Sequence, residues 1–253
     1  MTSALLLGHG SPDPGARAEL TELRRLVGRR LGLDVGLGVL EFPAPGLPAL
    51  PDAFAELRGS GRVAAQPLIL FDGLHGQRDL PAAAAAATAR LGVEVLLGTP
   101  FGREPRLVAV AARRLRDHGV AAGDLLLFVG RGSSEALARE QTEGVAAAVA
   151  AEAGLEHLVC YTGISPPGLA EGVRTALGRR PRRVVALPYL LHTGVLVRRV
   201  GEVLVPIAGR AGAELVVLPH IGNAAPVVEV VADRLGQLLG AAREASGLSG
   251  ARP

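Results

Sequence analysis

Three side chains suited to holding a divalent metal follow apolar runs in the first half of this chain. His9 comes after Ala4–Gly8, Glu41 after Val35–Leu40, and His75 a few residues past Val63–Leu70. Imidazole and carboxylate together suit first-row metals such as Fe, Co, Ni and Zn. Three protein ligands leave coordination positions open, as a catalytic or transfer site requires. The three are far apart in sequence, so no local metal signature joins them. Position joins them: in open parallel sheets, ligands bind beyond the carboxyl ends of strands, and each of the three sits at such an end. Taken singly, each also has an ordinary reading. His9 hydrogen-bonds its own loop while Ser11 caps the next helix, Glu41 is a solvated carboxylate, and His75 is a surface residue.

The elements that must position these groups come twice. Leu5–Ser11 reads LLLGHGS and Leu127–Ser133 reads LFVGRGS, so Arg131 stands where His9 does. Arg62–Phe71 (RVAAQPLILF) is matched by Arg183–His192 (RVVALPYLLH), and Pro45-Gly46-Leu47 by Pro167-Gly168-Leu169. A repeat of this period means two related units. In each, short apolar runs alternate with helical stretches. Strands are expected at Ala4–Gly8, Val35–Leu40, Val63–Leu70 and Val93–Leu97, then at Leu125–Val129, His157–Tyr161, Val184–Leu190 and Glu214–Leu218. Helices are expected near Ala16–Leu31, Leu47–Leu57, Asp79–Leu91 and Pro105–Asp117. Nearly continuous apolar strands separated by helices predict parallel sheets covered on both faces. The fold class is therefore α/β, two similar domains of four strands each from an internal duplication. The expected boundaries are residues 1–120 and 121–242, with a flexible tail over 243–253.

Composition narrows the function. With 253 residues and 49% hydrophobic content, the chain can bury a substantial core. The net charge is only +3, and every basic side chain other than histidine is arginine. The arginines are scattered, without a long basic run or interleaved aromatics, which argues against nucleic acid and suits an anionic small molecule better. The single cysteine, Cys160, lies in an expected strand and reads as a small buried hydrophobe. No apolar stretch has the length of a membrane span, and no secretory signal opens the chain, so the expectation is a cytoplasmic protein without a membrane partner. Rival motifs fit poorly. Gly8-His9-Gly10-Ser11 lacks the third glycine of a dinucleotide fingerprint and the lysine of a phosphate loop, and no Gly-X-Ser-X-Gly elbow is present. A histidine phosphatase would carry Arg-His-Gly after its first strand, so phosphate transfer through His9 stays a second reading, and a non-catalytic metal or tetrapyrrole carrier a third.

The His-centred motifs together resemble those of the sirohydrochlorin chelatases, the class II chelatases of cobalamin and sirohaem synthesis. The resemblance rests on Leu7-Gly8-His9-Gly10-Ser11, on Val39-Leu40-Glu41 leading to Pro45, and on Pro67–Leu70, Gly73-Leu74-His75 and Asp79-Leu80-Pro81. It covers essentially the whole chain. It implies insertion of Co2+ or Fe2+ into sirohydrochlorin without ATP, with no cofactor beyond the metal itself. It further implies that His9, Glu41 and His75 are the metal-binding and catalytic residues. The second half carries Arg131, Gly163 and Leu196 at these places and is expected to be silent. Ala44 departs from the pattern where many relatives have a second acidic residue. The implied chemistry suits the residues: a macrocycle loses two pyrrole protons as the metal enters, so a neutral imidazole serves as ligand and proton acceptor. Sirohydrochlorin bears several carboxylates, for which Ser11, Arg131 and His192 are the expected substrate-binding residues. With the substrate cleft formed inside one chain, a monomer is expected to suffice. His118, His157 and His220 take no role on this reading.

Overall fold

A computed structural model describes residues 2–245 of the chain. Its first half runs β1 (Thr2–Gly8), α1 (Pro14–Leu31), β2 (Val35–Val39), α2 (Leu50–Glu56), β3 (Arg62–Pro67), α3 (Leu80–Leu91), β4 (Glu94–Leu97) and α4 (Pro105–Asp117). The second runs β5 (Asp124–Gly130), α5 (Ala136–Ala153), β6 (Glu156–Tyr161), α6 (Leu169–Gly178), β7 (Arg183–Pro188), α7 (Val195–Arg210), β8 (Leu215–Val217) and α8 (Ala225–Ala245). Two four-stranded parallel sheets result, in the orders β2-β1-β3-β4 and β6-β5-β7-β8. This is the α/β duplication that the sequence predicts.

Both central strands are apolar on both faces because helices cover both. Leu5 and Leu7 of β1 join Leu50 and Phe54 of α2 and Leu80 of α3 in one core, while Leu6 between them is equally buried. Every residue of β5 is buried, and Leu125, Leu127 and Val129 join Val173 of α6 with Val200 and Leu204 of α7. Cys160 lies inside this second core, and burial pushes its thiol up to about 12, so it stays protonated and unreactive. Strand β3 ends at Pro67, earlier than its apolar run, since proline has no N–H to continue a ladder. Helix α1 begins earlier than expected: the Asp13 carboxylate accepts from the Ala16 amide and Pro14 occupies the first turn.

The duplication persists in hydrogen bonds beyond the strand ends. Leu40 N–H donates to Gly8 and Glu41 N–H to His9; Thr162 donates to Gly130 and Gly163 to Arg131. Arg131 and Gly163 are thus the structural counterparts of His9 and Glu41.

The compact units, however, do not follow the sequence repeats. Among the described residues, one contains 2–69, 74–101 and 227–245; the other contains 70–73 and 102–226. Helix α4, placed in the first repeat by sequence order, packs on α5 in the second unit, and most of α8 belongs with the first. A repeat comparison matches α4 to α8 by order alone and cannot tell which sheet each one covers. Helix α8 continues to Ala245, into the expected tail, and the remainder of that tail lies outside the described residues. No described helix is long and apolar enough to cross a membrane.

Candidate metal centre

All three groups fall within the first compact unit, at the carboxyl edge of its sheet. His9 directly follows β1, and the Glu41 amide donates to its carbonyl over 2.9 Å. That bond makes the two residues neighbours on adjoining strand ends. Between them the chain turns at Gly10, whose φ is +90° and whose Cα faces the Glu41 carbonyl so closely that a Cβ there would lie 1.8 Å from the oxygen. Only glycine fits such a position.

His75 arrives from a different kind of element. Residues His75–Asp79 form one wide helical turn in which the Leu80 amide reaches back five residues to the His75 carbonyl. Single π turns of this kind open a helix locally and are frequent at functional sites. Here the turn sets Asp79 against His75, with a carboxylate oxygen 2.6 Å from Nδ1. The helical pattern in the sequence starts at Asp79 and points to no part for that residue in the site. The four-residue spacing from His75 is the signal that would have found it, but it becomes meaningful only once His75 is helical.

These contacts assign the same tautomer to both rings. His9 Nδ1 lies 3.1 Å from the Gly10 carbonyl, which can only accept, so Nδ1 carries the hydrogen. His75 Nδ1 donates to the Asp79 carboxylate by the same logic. In the neutral form each imidazole therefore presents a bare lone pair at Nε2, and the two Nε2 atoms are 3.2 Å apart. Two lone pairs at that distance repel unless a cation lies between them, either a proton or a metal ion. With metal–nitrogen bonds of about 2.0–2.1 Å, a 3.2 Å separation closes an angle of about 100° at the ion, close to tetrahedral. The rings meet edge to face, 78° apart, as two ligands to one ion can. A Glu41 carboxylate oxygen completes the set, with the three ligand atoms within 4.8 Å of one another. His9 and His75 are half-buried and Glu41 is exposed, so one side of the set stays open. Asp79 stands behind His75, where a carboxylate fixes the orientation and tautomer of an imidazole.

Of the expected substrate-binding residues, Ser11 is in the first unit, while Arg131 and His192 are in the second. The Ser11 hydroxyl accepts from the Asp13 amide, while Arg17 holds the Ser11 carbonyl. Ser133 makes the same two bonds, to Glu135 and Arg139, at the matching place in the second half. Ser11 thus builds the turn that follows His9, and its hydroxyl hydrogen is not used in the bond from Asp13. Arg131 is exposed at the end of β5 in the second unit. His192, also in that unit, has both ring nitrogens buried without a hydrogen-bond partner among the described residues. Burial, helped by nearby His220, pushes its imidazole down to about 4. The ring is therefore neutral in the folded chain at neutral pH. This has a consequence for stability. Unfolded, His192 takes up a proton below about pH 6.5; folded, it resists until about 4. Stability should therefore fall as the pH drops from 6.5 towards 4, by up to about 3 kcal/mol. Denaturant unfolding of His192→Gln across that range should show a shallower decline than the parent chain.

The chain matches the CbiX family model twice, over residues 3–118 and 125–238. A sirohydrochlorin ferrochelatase of Priestia megaterium is 29% identical over 211 residues, covering 81% of this chain and 78% of that protein. A sirohydrochlorin cobaltochelatase of the same organism is 26% identical over 215 residues, covering 81% and 69%. Among solved structures, the sirohydrochlorin chelatase SirB of Bacillus subtilis subspecies spizizenii, in complex with cobalt, superposes with a TM-score of 0.76 at 21% identity over 94% of both chains. SirB of Bacillus subtilis with Fe3+ gives 0.79 at 20% identity, over 94% and 95%. At these identities the structural matches establish the shared fold.

Proposed function

This chain belongs to the CbiX family, the sirohydrochlorin chelatases, and from that premise we propose that it inserts a divalent metal, Co2+ or Fe2+, into sirohydrochlorin. The observation that carries the reading is the pair of Nε2 lone pairs facing one point, with the Glu41 carboxylate beside it. Metal and macrocycle are both substrates, and the reaction needs neither ATP nor a resident cofactor. As M2+ passes to the four pyrrole nitrogens, two N–H protons must leave. The imidazoles released from the metal are free to take them, and exposed Glu41 offers a path to solvent. Asp79 keeps His75 in the tautomer that presents Nε2 throughout. All three ligands come from one chain, so a single copy is sufficient for this chemistry.

Phosphate transfer through His9 fits less well, because the group opposite His9 Nε2 is a second imidazole and not a guanidinium. A carrier would bind metal or macrocycle without joining them. Purified protein mixed with sirohydrochlorin and Co2+ or Fe2+ should convert the macrocycle spectrum to that of the metal complex well above the uncatalysed rate. Binding without acceleration would make the chain a carrier.

Arg131 gives a separate prediction. Every proposed ligand lies in the first unit, so Arg131→Ala should bind Co2+ as tightly as the parent chain. If its exposed guanidinium meets a substrate carboxylate, KM should rise about tenfold with little change in kcat, as for loss of one solvated charge-assisted hydrogen bond. Unchanged KM would remove Arg131 from substrate recognition.

A further inference from the structure

Six large hydrophobic side chains are exposed among the described residues: Phe42, Leu74, Leu137, Ile164, Val195 and Val205. Isolated exposed hydrophobics are ordinary on a protein surface, but four of these six are not scattered. Phe42 directly follows Glu41, and Leu74 directly precedes His75. Ile164 and Val195 hold the equivalent places in the second unit, after Gly163 and before Leu196. The duplication has thus kept an exposed apolar group at both positions in both halves, although the second half carries other residues in place of His9, Glu41 and His75. The property is independent of metal binding and calls for a reason of its own.

Phe42 carries a second sign. It is one of only two non-glycine residues with positive φ among the described residues, at 54°, and its side chain is 48% exposed. A left-handed backbone is sterically costly for a residue with a side chain, and an exposed ring gains little from packing to offset it. Strain of this sort, kept beside a ligand, points to function.

We infer that Phe42 and Leu74 form an apolar platform on which the flat face of the macrocycle rests while its centre lies over His9, Glu41 and His75. The inference deepens the chelatase reading and rests on it. A metal cannot pass from these ligands to a ring of nitrogens unless the ring lies against the strand ends that carry them. Phe42 and Leu74, exposed and next in chain to two of the ligands, supply apolar surface for that face. A tetrapyrrole offers a broad apolar face, which aromatic and branched side chains cover favourably, while its rim carboxylates remain in water or meet arginine.

The test uses the full chain and metal-free sirohydrochlorin as probe, followed by absorbance or fluorescence titration. Phe42→Gly removes the ring and relieves the backbone at once, so it should leave the melting temperature unchanged or higher while weakening macrocycle binding about tenfold. Leu74→Ala should weaken it less, and the double variant more than either. Co2+ affinity, titrated without macrocycle, should stay at the parent value in all three. Leu137→Ser, an exposed apolar residue with no repeat counterpart at the site, should change none of these. Parent-like macrocycle binding in the double variant would overturn the platform while leaving the chelatase reading intact. A parent chain that neither binds nor metallates sirohydrochlorin would overturn both.

Discussion

His9→Ala and His75→Ala are each expected to lower the rate of metal insertion by about 10²–10⁴-fold, the range for loss of a positioned proton-transferring group. Each removes one of the two Nε2 lone pairs that face each other over 3.2 Å, so the incoming ion keeps one imidazole where it had two. Neither change should harm the fold. Both rings are half-buried at a strand-end edge, and the His75–Asp79 contact lies between side chains 25% and 41% exposed, a setting in which ion pairs contribute little stability. Initial rates followed by absorbance, together with thermal unfolding, separate the two effects. Turnover near the parent value in either variant, with the fold intact, would remove that histidine from the metal site.

Gly10→Ala should be nearly as damaging, and by a different route. The new Cβ would lie 1.8 Å from the Glu41 carbonyl oxygen, and the φ of +90° is itself one that alanine rarely adopts. Backbone strain of about 1–3 kcal/mol is the minimum cost. The overlap can be relieved only by moving the chain between His9 and Glu41, which breaks the 2.9 Å bond that joins them. Co2+ affinity and stability should therefore fall together. Gly132→Ala is the matched control. Its φ is +87°, but the nearest atoms to an added Cβ are side-chain atoms of Ser165 and Tyr161, at 3.1 and 3.2 Å. It should lose stability and keep full Co2+ affinity. Denaturant unfolding and metal titration of both variants check this, and a Gly10→Ala protein with parent-like affinity would show that Glu41 does not need its present position.

Much of this arrangement is visible in the sequence because the central strands are apolar throughout and end at small residues. Gly8 closes β1 and exposes His9; the run ending at Val39 exposes Glu41. The repeat fixes the architecture, since it sets the same strand–helix order twice. Other features depend on contacts that no periodicity encodes. Asp79 becomes part of the site only through the wide turn at His75, which a regular helical pattern does not anticipate. Ser11 carries the residue type of a binding group, and its use in a turn emerges only from its bonds and from their repetition at Ser133. His192 follows the strand β7 as a ligand would, yet its nitrogens face inward. The assignment of α4 and α8 to opposite units depends on which sheet each amphipathic face covers, and the two helices have equivalent places in the repeat.

The most direct test of the metal centre is anomalous diffraction at the cobalt edge from crystals of the protein loaded with one equivalent of Co2+. One strong peak within bonding distance of both His9 Nε2 and His75 Nε2, with a Glu41 carboxylate oxygen nearby, is the expected result. A single ordered cobalt elsewhere on the chain, with these three side chains unoccupied, would contradict it.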